Sequence, residues 1–310
     1  MANNSSRIVR GDRVFRTVLY ICAGSVLAIT LTMVVAMTQS SWLSIREFGL
    51  GFLVGQVWDP VKGEFGALPF IWGTIASSVL ALIIAVPLSV AVAIFLVEQA
   101  PRSLARPLGF LVELLAAIPS VVYGLWAIFV LAPLLRIYVQ PFLQSLFGWL
   151  PLFQGTATGI GLLTGGVVLA IMITPIITAV TRDVLEAVPV TQREASLALG
   201  ATRWETTKIV LSNASSGIAG AVILGLGRAI GETMAVTMVI GNRPQISASL
   251  FDPAYSIASV IANEFTEATG DLYISALTEM GLILFIVTFV VTGLAKLLIM
   301  SVANRNLPQN

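Results

Sequence analysis

The chain has 310 residues, 57% of them hydrophobic and only 11% charged, with a mean hydropathy of +0.93. A soluble chain of that length would carry roughly 25% charged residues, so a bilayer is the expected solvent. Formal net charge is +1 and gives no pointer to nucleic acid; histidine is absent and Cys22 is the single cysteine, which excludes an internal disulfide, a His/Cys metal cluster and a Ser-His or Cys-His nucleophile pair.

Windows long enough to cross about 30 Å of hydrocarbon occur near 15–37, 70–97, 108–133, 157–180, 215–240 and 276–300. Backbone polar groups in such windows must be satisfied internally, so each is expected to be helical and the fold all-α. The first window follows Arg7, Arg10 and Arg13 and has Arg16 at its start, is too long for a signal-peptide core and lacks a small-x-small cleavage site, so it reads as an uncleaved anchor. One alternating set of connections carries twelve Lys/Arg residues and the other four, which predicts cytoplasmic tails at 1–14 and 301–310 around a membrane domain at 15–300. Residues 38–69, 134–156 and 241–275 are then external, and AYSIASVIANEF, after Asp252-Pro253, is expected to form a short helix along the membrane surface.

In the third window Pro119 is followed by Ser120 and Tyr123, whose hydroxyls could line a central path; Pro87 and Pro175 interrupt the second and fourth windows. The largest cytoplasmic connection, 181–214, contains two S/T-x-x-E patterns, Thr191 to Glu194 and Thr202 to Glu205, each read as a capping box opening a helix. Gly200 between them suits a left-handed helix end. The result is a helix-break-helix handle with a small apolar surface, suited to engaging another protein.

The fifth window contains GLGRAIGETMAV. Gly227 and Gly231, with Ala221 and Gly225, form a small-residue face for close packing, as do Gly161 and Gly165 in the fourth window. Arg228 and Glu232 are the only charges between Gly217 and Gly241, at i and i+4, and can pair on one helix face. Two readings stay open: a structural ion pair, or an anion contact using the planar guanidinium fork.

The stretch EASLALG resembles the EAA loop of bacterial binding-protein-dependent ABC-importer permeases, with Glu194, Ala195 and Gly200 matching, Ser196 in place of the usual Ala, and Ser212-Asn213 in place of the usual Leu-Pro. Ser212 and Asn213 are expected to stop the helix instead. AAIPSVVYGLWAI, ILGLGRAIGETMAVTMVIGN, ALPFIWGTIASSV and FDPAYSIASVIANEF are similar to the PstC-type permease family of phosphate importers, over roughly 65–300. The resemblance implies a six-span type I ABC importer permease in a bacterial inner membrane, in which the charges and hydroxyls of Arg228, Glu232, Ser120 and Tyr123 are the candidate substrate pathway. It implies ATPase coupling through Glu194, Ala195, Ser196, Gly200 and Arg203. It also implies no cofactor in this chain, with ATP and Mg held by a PstB-like ATPase dimer, a second PstA-like permease and an external PstS-like phosphate-binding protein. A permease for another oxyanion such as molybdate or sulfate is the near alternative, and a stand-alone channel or secondary transporter the distant one.

Overall fold

The computed structural model of the chain describes residues 2–305, with side chains described for 15–297, so the tails expected at 1–14 and 301–310 lie outside the described side chains. A long helix, α1 (Ala2–Ser40), leads into α2 (Trp42–Phe48), the single turn α3 (Gly51–Val54) and a hairpin of β1 (Trp58–Asp59) and β2 (Glu64–Phe65) with Trp58 opposite Phe65. Then follow α4 (Leu68–Ile94), α5 (Arg102–Ala116), α6 (Ser120–Trp126), α7 (Ala132–Leu134), α8 (Gln140–Phe147) and α9 (Leu162–Glu186). The chain continues through α10 (Val190–Ala198), α11 (Arg203–Ile230), α12 (Met234–Val239), α13 (Ile257–Glu264) and α14 (Asp271–Arg305).

Among the described residues, six helical stretches are long and apolar enough to cross a membrane: Phe15–Ser40, Leu68–Gln99, Ser120–Phe147, Leu162–Glu186, Arg203–Ile230 and Asp271–Leu297. The first is wholly unburied by the rest of the chain, whereas two-thirds of the fourth is buried. So α9 is the axis of the bundle, packed on α4 and α11 through Ala81, Ala85, Ile173, Ile177 and Ala221. α1 touches only the periphery, at α2 and α14.

The third span differs from its expected bounds of 108–133. Proline lacks an N–H and disfavours helix in the residue before it, so the run breaks at 117–119 and the apolar residues ahead of Pro119 form the separate helix α5. Beyond Pro119 the helix passes through Arg136 as far as Phe147, by way of wide π-type turns at Ala127–Leu131 and Leu135–Val139. These two, and a third at Phe95–Gln99, each end two residues before a proline (Pro133, Pro141 and Pro101), where the ring would otherwise clash with the preceding turn. Pro87 and Pro175 stay inside α4 and α9 without ending them.

Three further expectations are corrected. Ser212 and Asn213 do not stop a helix, because α11 runs through both and Asn213 instead donates to Gln192 of α10. The helix after Pro253 is not an exposed surface helix in its first turn. Ser256 caps it, and Ile257, Ala258, Ser259 and Val260 are buried against the bundle. Of the glycines, Gly225 meets Ile177 of α9, whereas among the described residues no side chain comes within 4 Å of where a Cβ on Gly227 or Gly231 would be.

The segment 241–256 folds back into the bundle and supplies partners that a buried helix start needs. The amides of Leu162 and Leu163 donate to the carbonyls of Asp252 and Leu250 at 3.0 and 2.7 Å, so the orphan donors of α9 are satisfied away from water. At the same end, Trp58, Tyr255 and Tyr273 all donate to the Glu264 carboxylate, at 2.8, 3.3 and 2.6 Å. This joins the hairpin, the folded-back segment, α13 and α14 over an aromatic cluster of Phe52, Phe65 and Phe70.

Candidate functional site

At the fifth span the helix stops where glycine allows it to. α11 ends at Ile230, Gly231 caps it, and α12 starts three residues later, so Arg228 and Glu232 straddle a break instead of sharing one continuous helix face. The pair forms, with an Arg228 Nη2 to Glu232 Oε2 separation of 3.4 Å. Its members are unequal: the Glu232 side chain is 3% exposed and that of Arg228 49%. Glu232 has a second duty, since its Oε1 accepts from the Ala235 amide at 3.3 Å and so satisfies an orphan donor of α12. Arg228, on the uncovered face, has no other hydrogen-bond partner among the described residues. Most of its N–H donors therefore remain available.

Gly124 brings α6 close to α12, where a Cβ in its place would meet Met238 and Ala235. The structure thus gathers the Pro119 break and the Gly231 break into neighbouring elements. Ser120 is partly buried in the first turn of α6. The Tyr123 hydroxyl is committed to the backbone, donating at 2.8 Å to the Leu115 carbonyl in the last turn of α5, and its ring packs with Ala235 and Val239. Neither hydroxyl is in hydrogen-bond contact with Arg228.

The handle projects from the opposite end of the bundle to the hairpin. Its first capping box does not form: α10 already begins at Val190 after Pro189, and proline at that junction sets the start before Thr191 can. Glu194 and Ala195 are exposed on α10, while Ser196 is buried with its hydroxyl 3.2 Å from that of Thr206. The second capping box forms in full, with Glu205 N donating to Thr202 Oγ1 and Thr202 N to Glu205 Oε2. Between the helices Gly200 adopts φ +85°, its amide donating to Leu197 and that of Ala201 to Ser196, the paired bonds of a glycine-ended helix. Arg203 opens α11 beside Trp204, over whose ring the Lys208 ammonium lies at 5.4 Å.

The sequence reading missed Arg193. Its guanidinium donates to Glu98 at 2.9 and 3.1 Å, to the Val188 carbonyl at 2.6 Å and to the Leu185 carbonyl at 2.8 Å. Arginine is the side chain with enough planar donors for this, but the partner is 95 residues away and invisible to local spacing. Glu113 pairs with Arg182 at 2.9 Å, fastening α5 to α9. Among the described residues there is no group of three or more potential metal ligands of the His, Cys, Asp or Glu type.

The family described as "Binding-protein-dependent transport system inner membrane component" matches residues 85–304. The chain belongs to it. Its relatives include the phosphate transport system permease protein PstC of Mesorhizobium japonicum, 47% identical over 304 residues, covering 96% of this chain and 93% of the relative. The PstC of Pasteurella multocida is 49% identical over 299 residues, covering 95% and 93%. A probable PstC of Methanocaldococcus jannaschii is 39% identical over 254 residues, covering 80% and 81%. Among solved structures, a chain of the MetNI methionine ABC transporter in an inward-facing conformation superposes with a TM-score of 0.52 at 19% identity, covering 78% of this chain and 95% of that one. The type I ABC importer permease fold is therefore the fold found, and this chain is a multi-pass transport component and not an enzyme in its own right.

Proposed function

We propose that this chain is one of two permease subunits of an ATP-driven importer that moves inorganic phosphate from an external binding protein into the cytoplasm across the bacterial inner membrane. The observation that carries the substrate is the near full-length similarity to phosphate transport permeases. The site adds a chemical reason. Arg228 offers a half-exposed guanidinium at a helix break, and planar paired donors suit phosphate oxygens.

The uncovered Gly227–Gly231 face is where a second, PstA-like permease would complete the path. Glu232, already neutralising Arg228, would hold that cation in place between transport events, and the anion would replace the carboxylate as its partner during passage. Ser120 and Tyr123 would shape the neighbouring wall. The handle, with Glu194, Ala195, Gly200 and Arg203 accessible, would dock a PstB-like ATPase dimer that binds ATP and Mg.

The test is uptake of radiolabelled phosphate by cells whose only phosphate importer contains this chain and its partners. Uptake that needs ATP and the binding protein, and that excess molybdate or sulfate does not compete away, is expected. Saturable uptake of molybdate or sulfate in place of phosphate would replace the substrate.

A further inference from the structure

The Arg193 guanidinium is held by two pieces of chain, the nearby end of α9 and a carboxylate 95 residues away. It donates to the carbonyls of Leu185 and Val188, which close the end of α9, and through two nitrogens to Oε1 of Glu98. Glu98 sits in the wide turn that ends the second span, so its position follows that of α4. The two side chains are only 17% and 12% exposed, which removes them from the solvent screening that weakens most surface ion pairs. α4 and α9 are themselves joined deeper in the bundle, where Ser89 donates to the Thr174 carbonyl at 3.1 Å. α10 is thus fixed by one charged side chain to a rigid two-helix body.

The attachment of α10 to α11 is different in kind. Its hydrogen bonds are neutral, Ser196 with Thr206 and Asn213 with Gln192, at 3.2 and 2.7 Å, beside the direct packing of α10 on α11. Neutral hydrogen bonds are roughly half as strong as charge-assisted ones. Between the two attachments lies an open cleft lined by Glu98, Arg193, Leu197, Arg203 and Trp204. The Arg193–Glu98 pair therefore gives a load on α10 a direct charged route to α4 and α9, separate from its packing on α11.

We infer that Arg193 and Glu98 form the mechanical link through which displacement of α10 moves the second and fourth spans, making Arg193 a positioning residue for coupling ATP hydrolysis to transport. The inference rests on the proposed function, because it needs an ATPase at the handle. It assigns to Arg193 a role separate from docking: its head group is turned into the protein, so its loss should spare association and impair transmission.

The test uses the full complex in proteoliposomes with Arg193→Gln, Glu98→Gln and Arg193→Lys. For the two glutamine variants, ATPase association and hydrolysis are expected to stay within about twofold of wild type while uptake per ATP falls about tenfold, the size of a common inter-site coupling. Arg193→Lys keeps the charge on Glu98 and should recover part of that ratio. Loss of uptake and hydrolysis in proportion, or no change in either, would overturn the link.

A second measurement needs no transported solute. Spin labels at Gln99→Cys and Leu199→Cys, with Cys22→Ser, should report one narrow distance that ATP binding does not alter, and a broadened distribution when Arg193→Gln is added. A distance that shifts with ATP in the otherwise wild-type chain would also overturn it. Failure of phosphate uptake in the wild-type complex, with the narrow distance retained, would count against the substrate and leave the link standing.

Discussion

Arg228 and Glu232 form one pair of side chains for which a structural and a proposed functional role can be told apart. Glu232 is buried and caps α12, so removing its cationic partner should cost stability of about 1–3 kcal/mol, the cost of leaving a buried acceptor unsatisfied. Arg228 is half exposed on an uncovered face, and nothing in the packing of this chain requires a guanidinium there. The two roles separate by substitution. Arg228→Lys keeps the charge but not the planar fork, so uptake is expected to fall at least tenfold while assembly survives. Arg228→Gln with Glu232→Gln removes the unpaired buried carboxylate and keeps an acceptor for the Ala235 amide. That double variant is expected to assemble with its partners and remain inactive. Phosphate uptake near wild type in an assembled double variant would show that the pair is only structural.

Elements reveal what sequence patterns do and do not carry. Gly200 was legible because its demand is local: a helix ends there with φ +85°, and no neighbouring atom crowds the position. Gly200→Val should therefore act through backbone strain alone, costing about 1–3 kcal/mol, with reduced ATPase co-purification and normal membrane insertion. Unchanged co-purification would remove the handle from the docking role. The second capping box was legible for the same reason, whereas the first failed because Pro189 fixes the helix start two residues earlier. The third span was misplaced because an apolar run reads alike whether it crosses the bundle or, like α5, ends at a proline and packs beside α9. Contacts between distant segments left no local trace at all: Arg193 with Glu98, and Trp58 with Glu264, which also accepts from Tyr255 and Tyr273. In that second cluster burial pushes the Tyr255 hydroxyl well above the usual tyrosine range, so it remains protonated and a donor throughout the physiological range. Glu264→Gln replaces one acceptor oxygen with a donor facing other donors. It should lower stability by about 1–3 kcal/mol, read as a reduced unfolding temperature in detergent. An unchanged unfolding temperature would mean that the aromatic packing holds this end of the bundle alone.

For the whole molecule, the bundle has two distinct ends, and its mechanism depends on which faces the cytoplasm. The handle end carries Arg102, Arg106, Arg182, Arg193, Arg203 and Lys208 in its connections and helix ends, and the hairpin end carries Arg46, Lys62, Arg136 and Arg243. Basic residues near short connections are retained on the cytoplasmic side, so we propose that the handle faces inside and the hairpin outside. The same orientation is required if the handle engages an ATPase, so an argument from charge and one from mechanism converge on a single arrangement. The structure supplies a reporter position at each end: Val61 at the hairpin tip is 96% exposed and Leu199 on the handle 90% exposed. Cys22, the only native thiol, can be removed as Cys22→Ser from the unburied face of α1. In that background a membrane-impermeant maleimide should label Val61→Cys from outside, once the outer envelope is opened. It should label Leu199→Cys only after the inner membrane is permeabilised. Both substitutions are at solvent-exposed positions, so neither should disturb folding, and each serves as the accessibility control for the other. Labelling of Leu199→Cys with the inner membrane intact would place the handle, and Arg193 with it, in a compartment without ATP, and would overturn the docking role and the coupling link together.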